Sequence, residues 1–183
     1  MRLNRFTPEQ LSSQQQLLYD QIAGGKRAEG RQLFQLVGDD GALEGPFNAM
    51  LLAPNLGFAL QALGAAIRYG SNLSPRVREG SILMVASKWN CEFERMAHEP
   101  LALDCGLSSE EIDTIRAGGV PAGQTVIEQA AFEVSKGLIN DADLSDEGFE
   151  RYSALVGQES IFELTTLVGY YSTLAMQMRV FRV

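Results

Sequence analysis

An all-α fold in a single domain is what this chain predicts, and three observations carry the prediction. Apolar residues recur at helical spacing along most of its length, capping signatures open the runs, and glycines or polar clusters close them. At 183 residues the chain is long enough for one substantial core. No internal repeat, low-complexity run or long linker divides it. The organisation expected is an N-terminal helix and irregular arm over residues 1–45, then a helical bundle over residues 46–183.

Thr7-Pro8-Glu9-Gln10 reads as a helix start, with Thr7 as cap and Pro8 in the first turn. Leu11, Leu18 and Ile22 mark one face of that helix, and Gly24-Gly25 ends it. Residues 26–45 are the least regular. Phe34, Leu36 and Val37 before Gly38-Asp39-Asp40-Gly41 fit either a short hairpin or a packed loop, in an arm that could lie across a neighbouring subunit. Gly45-Pro46-Phe47-Asn48 opens a brief apolar turn, and Pro54 starts a helix whose stripe is Leu56, Leu60, Leu63 and Ile67. Small residues beside that stripe, Gly57 and Gly64 among them, would let another helix approach closely.

Ser74-Pro75 is an N-cap followed by proline at the first helical position. The helix it starts is apolar on all sides from Ile82 to Ala86, and so should be central. A bend is expected near Lys88 to Asn90, with a second helix carrying Cys91 to Cys105 and kinked by Pro100 just past His98. Ser108-Ser109-Glu110-Glu111 is a capping box for a short helix that stops at Gly118-Gly119. Ile127, Ala131, Val134 and Leu138 mark the next helix. Ser145 caps one that reaches Val156, and Ser160-x-x-Glu163 should cap the broadly apolar last helix.

Composition excludes several function classes. A net charge of −8 without a basic run argues against nucleic-acid binding, and an anionic substrate would need a local group of arginines. The apolar tail from Ile161 to Val183 is interrupted by Glu163, Gln177 and Arg179, so a buried terminal helix is expected rather than a membrane span. Cys91 and Cys105 on one helix would lie about 21 Å apart, beyond disulfide reach. Two unpaired thiols and no signal-peptide apolar region point to a cytoplasmic protein.

Candidate chemistry gathers between Glu79 and His98, the only histidine. Spacings of three and four place Cys91, Glu94 and His98 on one helical face, where Glu94 can raise the imidazole pKa and hold its tautomer. Glu79 could face the same pocket if the two helices pack antiparallel. Ordinary readings stand beside this one. Glu94 and His98 also fit a solvated pair worth about 0.3–0.5 kcal/mol, Cys91 a buried small hydrophobe, and Glu79 a complement to the helix dipole. Arg76, Arg78 and Arg95 are candidates to receive a substrate carboxylate, Arg95 the most suggestive, and Trp89 reads as core or interface. One histidine with two carboxylates matches no zinc spacing, so no metal site is expected.

Arg78-Glu79-x-x-Ile82-Leu83, Phe93-Glu94-x-x-x-His98-x-x-x-Ala102 and Gly106-Leu107-Ser108 together resemble the carboxymuconolactone decarboxylase and alkylhydroperoxidase AhpD-like family. The match covers roughly residues 74 to 117, and Val168-Gly169-Tyr170-Tyr171 near the end also fits it. The resemblance implies an AhpD-like helical bundle that assembles as trimers or hexamers. In the family's peroxidase branch a second cysteine stands where this chain has Glu94, so a dithiol–disulfide cycle has no second thiol to run on. Glu79, Cys91 and His98 are retained. The resemblance therefore implies a cofactor-independent lyase or isomerase of a small carboxylated, lactone-like metabolite. His98, Glu94 and Glu79 would be its acid–base groups, with Arg78, Arg95, Cys91 and Trp89 lining the pocket. A thiol-dependent hydroperoxide reductase acting through Cys91 and a non-catalytic oligomer are the alternatives.

Overall fold

The structure is a computed structural model, and it describes residues 2–25 and 34–183. Among these, the order is a single 3-10 turn, Pro8–Gln10, and eight helices: α1 Ser13–Ala23, α2 Pro46–Met50, α3 Pro54–Gly70, α4 Pro75–Lys88, α5 Glu92–Asp104, α6 Ser109–Arg116, α7 Val126–Asp141 and α8 Asp146–Phe181. The fold is all-α. The chain forms two compact units, one of Met1–Ala66 with Met176–Val183 and one of Ile67–Ala175.

In the first unit the expected cap at Thr7 is not used. Its side chain makes no capping bond, and Pro8–Gln10 remains one isolated turn. The helix starts five residues later, where Ser12 and Gln15 form a reciprocal capping box that satisfies the amides of both residues. Of the arm, residues 26–33 lie outside the described residues. The rest is a turn closed by one antiparallel bridge, Val37 to Leu43. Arg5 clamps that turn through Asp40 at 2.6 Å and Glu44 at 2.7 Å.

Helix α3 presents the other face from the one its leucines suggest. Leu56 and Leu63 are exposed, while Gly57, Gln61, Gly64 and Ile67 are buried. The physical reason is close approach: a methyl group on Gly57 would collide with Leu18 and with the Met50 carbonyl, so only the glycine face fits there.

The second unit is built around α4, which packs against α5, α6 and α7. Ser74 caps it by accepting from the Val77 amide, and residues from Val77 to Ala86 are buried apart from Arg78. The buried Ser81 and Ser135 hydroxyls meet at 2.8 Å where α4 crosses α7. Arg76, also buried, joins the neighbouring loops. Its guanidinium donates to Glu111, to the Gly106 carbonyl, to Glu128 at 3.1 Å and to the Ala122 carbonyl at 3.0 Å.

Two further expectations change. Ile127 is exposed on α7, whose buried face runs through Ala130, Ala131, Phe132, Val134 and Ser135. Ser160 and Glu163 do not cap a helix. The chain breaks at Gly157 instead, whose φ of 82° and ψ of 153° suit a residue without a Cβ. Glu163 then accepts from Ser71 and from the Asn72 amide. Pro100 sits inside α5, which continues through it to Asp104.

Candidate functional site

Helix α4 carries Glu79 in its second turn, and α5 carries Glu94 one turn before His98. The packing of α4 on α5 joins what the chain separates. His98 Nδ1 lies 2.7 Å from Glu79 Oε2, and Nε2 lies 3.2 Å from Glu94 Oε2. The imidazole is thus held between two carboxylates, and all three groups are buried. Glu94 and His98 make the i, i+4 pair expected from their spacing, but Glu79 is the closer partner.

Electrostatics make this unit an imidazolium at neutral pH. Burial alone would lower the His98 pKa, yet the carboxylates of Glu79 and Glu94 outweigh it and push the value up to about 9. Burial likewise works to raise the Glu79 pKa, and His98 overcomes it, so the net direction is downward. Glu79 Oε1 also receives Arg78 Nε at 3.3 Å, so one carboxylate bridges a guanidinium and the imidazolium. The positive charge of Arg68 acts on Glu79 from the end of α3.

Cys91 is not on the α5 face. It is the N-cap residue, in extended conformation, and it is buried. A helix start turns its free amides toward the residue before it, and the amides of Glu94 and Phe93 favour a thiolate here. Burial acts more strongly and pushes the thiol pKa up, with the Glu94 charge adding to it. Cys105 closes the other end of α5, and both cysteines are free.

The remaining sequence candidates divide. Arg78 joins the buried unit through Glu79. Arg95 donates to Asn90 Oδ1 at 3.2 Å on an exposed edge. Trp89, the residue after α4, donates from its indole to Ser172 Oγ at 3.0 Å and so ties α4 to α8.

Tyr171 was not singled out for a role by sequence. Its ring meets the His98 ring edge to face, with centroids 5.4 Å apart and planes at 89°, and Tyr170 stands the same way to Tyr171 at 5.2 Å. The Tyr170-Tyr171 pair in an apolar terminal helix was the only signal available, and it does not say which neighbour the rings contact. Among the described residues no group of three His, Cys, Asp or Glu side chains is placed to hold a metal ion. No described helix is long and apolar enough to cross a membrane.

Comparisons with known proteins cover the same stretch of chain. The carboxymuconolactone decarboxylase family model matches residues 54–137, which include Glu79, Cys91, Glu94 and His98. Over that stretch the chain resembles the carboxymuconolactone decarboxylase family. A protein of unknown function from Agrobacterium tumefaciens, described as a candidate antioxidant defence protein AhpD, is similar in structure. Its TM-score is 0.64 at 22% identity, covering 76% of this chain and 96% of its own. At that identity the likeness is one of fold, and the fold is the AhpD-like helical one. A comparison with curated proteins finds no match. Within the matched stretch, the carboxylate at position 94 gives His98 a second acidic partner.

Proposed function

We propose that this chain is a cofactor-independent lyase or isomerase acting on a small carboxylated, lactone-like metabolite. One observation carries the reading: a buried imidazole whose two nitrogens each face a buried carboxylate. Glu79 holds Nδ1 tightly and fixes the ring, while the longer contact at Nε2 leaves that proton the easier one to release. In a decarboxylation the C–C bond to the carboxylate breaks, carbon dioxide leaves, and the electron pair remains on carbon as an enolate. His98 Nε2 gives its proton to that carbon, and Glu94 relays a solvent proton back to the ring. The substrate's own carbonyl takes up the charge, so the step needs no metal or organic cofactor. Arg78 supplies a guanidinium beside the unit for the substrate carboxylate.

A second reading, thiol-dependent hydroperoxide reduction at Cys91, draws support from the thiol's place at a helix start and from the AhpD-like fold. Its single thiol would need an external thiol to complete the cycle. The discriminating experiment measures carbon dioxide release from carboxymuconolactone-type acids and hydroperoxide consumption with thiol. Wild type, Cys91→Ser and His98→Ala are compared in both assays. The lyase reading expects carbon dioxide release that His98→Ala abolishes and Cys91→Ser spares. Peroxide turnover lost in Cys91→Ser alone would falsify it.

Leu56 and Leu63, exposed at 67% and 39%, form an apolar stripe on α3 that suits burial against a second copy of the chain, in a trimer or hexamer. Light scattering that returns a monomer mass would overturn this. The free thiols suit a reducing cytoplasm.

A further inference from the structure

The ends of α4 and α6 and the C-terminal half of α7 line an open cavity of about 260 Å³, whose lining contains none of Glu79, Glu94 or His98. Met84, Ile115 and Ile139 form its apolar part. Three cationic side chains also line it, Lys88, Arg116 and Lys136, and no carboxylate does. Arg116 is already matched by Glu99 and Asp113, each at 2.7 Å. Lys88 and Lys136 make no ion pair among the described residues.

Basic residues at helix ends ordinarily serve the last free carbonyls. Here those carbonyls are largely taken. At the end of α4, the carbonyls of Val85, Ala86 and Ser87 accept from the amides of Trp89, Cys91 and Asn90. At the end of α6, those of Asp113, Thr114 and Ile115 accept from Ala117, Gly119 and Gly118. The Arg116 carbonyl accepts from Ser87 Oγ, and the Gly118 carbonyl from Lys136 Nζ at 2.7 Å. Lys136 has further N–H donors beyond that one bond, and Lys88 donates to none of these carbonyls. On a chain of net charge −8, this cleft gathers positive charge above an apolar wall.

We propose that this cavity binds a small organic anion, its carboxylate or phosphate head between Lys88 and Lys136 and its apolar body against Met84, Ile115 and Ile139. The inference is independent of the chemistry assigned to His98. Benzoate and phenyl phosphate are the probes, with inorganic phosphate as a head-only control. Each is titrated into the full chain while the methyl signals of Met84, Ile115 and Ile139 are followed by NMR. At least one aromatic probe is expected to bind saturably, to shift those methyls, and to bind more tightly than inorganic phosphate. The tighter aromatic probe identifies the preferred head. Lys88→Glu, at an exposed position, should weaken binding about tenfold by reversing one contributing charge. Absence of saturable binding by either probe, shifts confined to other methyls, equal affinity for inorganic phosphate, or unchanged affinity in Lys88→Glu each overturns the proposal.

Discussion

Replacing Glu79 by glutamine keeps the shape of the side chain and removes the charge closest to His98. The rise of the His98 pKa from 6.5 to about 9 corresponds to about 3 kcal/mol of preference for the imidazolium. That preference is what remains after burial, which opposes it, so the two carboxylates together contribute more. Glu79 stands at 2.7 Å and Glu94 at 3.2 Å, so Glu79 should carry the larger share. Its loss should lower the His98 pKa by roughly 1.5 units or more, to about neutrality or below. Because His98 is the only histidine in the chain, its ring signals can be followed by NMR against pH without ambiguity. Stability follows the same linkage. The folded-state pKa is raised, so the contribution is complete below about 6.5 and is lost as pH climbs through about 9. The depressed pKa of Glu79 sets the other flank, where stability falls as the carboxylate is protonated at acid pH. Chemical denaturation of wild type should lose up to about 3 kcal/mol between pH 6.5 and 9, and Glu79→Gln should lose much less. A His98 titration near 9 that survives in Glu79→Gln, or a wild-type titration near 6.5, would refute the reasoning.

Two other perturbations test the surroundings. In Gly80→Ala the new methyl would stand 2.6 Å from Phe132 Cε1, on a ring that is fully buried. Overpacking of that kind should cost about 1–3 kcal/mol in urea unfolding, and a neutral result would show that α4 and α7 can separate freely. Both thiol pKa values are raised by burial. Alkylation at pH 7 should therefore be slow, should accelerate with pH, and should modify the half-buried Cys105 before the buried Cys91. Earlier labelling of Cys91 would count against the low reactivity assigned to it.

Local signals in the chain were legible where one residue decides the outcome. Ser74-Pro75 and the Ser108 to Glu111 box mark helix starts because their side chains satisfy amides only a few residues away. Thr7-Pro8 misled because Ser12 and Gln15 offered a better box to the same stretch. Periodicity placed α3 and its small residues pointed to close approach, but a stripe of leucines and a stripe of glycines share one period. The packing of glycine against Leu18 and Met50 decides between them, and it is tertiary. The same division holds at the site. The contact of Glu94 with His98 follows from spacing on one helix, whereas the closer contact of Glu79 and the ring of Tyr171 depend on how separate helices meet. Cys91 fell just outside α5 because the chain turns at Asn90, which adopts a φ of 47°.

Arg76 has a consequence for the motions of this unit. One buried guanidinium bonds to the turn at Gly106, the first turn of α6 through Glu111, the loop at Ala122 and the first turn of α7 through Glu128. None of these segments can swing away alone without leaving a buried charge short of a partner, which is far costlier than exposing an ordinary loop. They should therefore open together. In native-state hydrogen exchange, the amides at the starts of α6 and α7 should share one opening free energy, so that two surface loops behave as a single cooperative element.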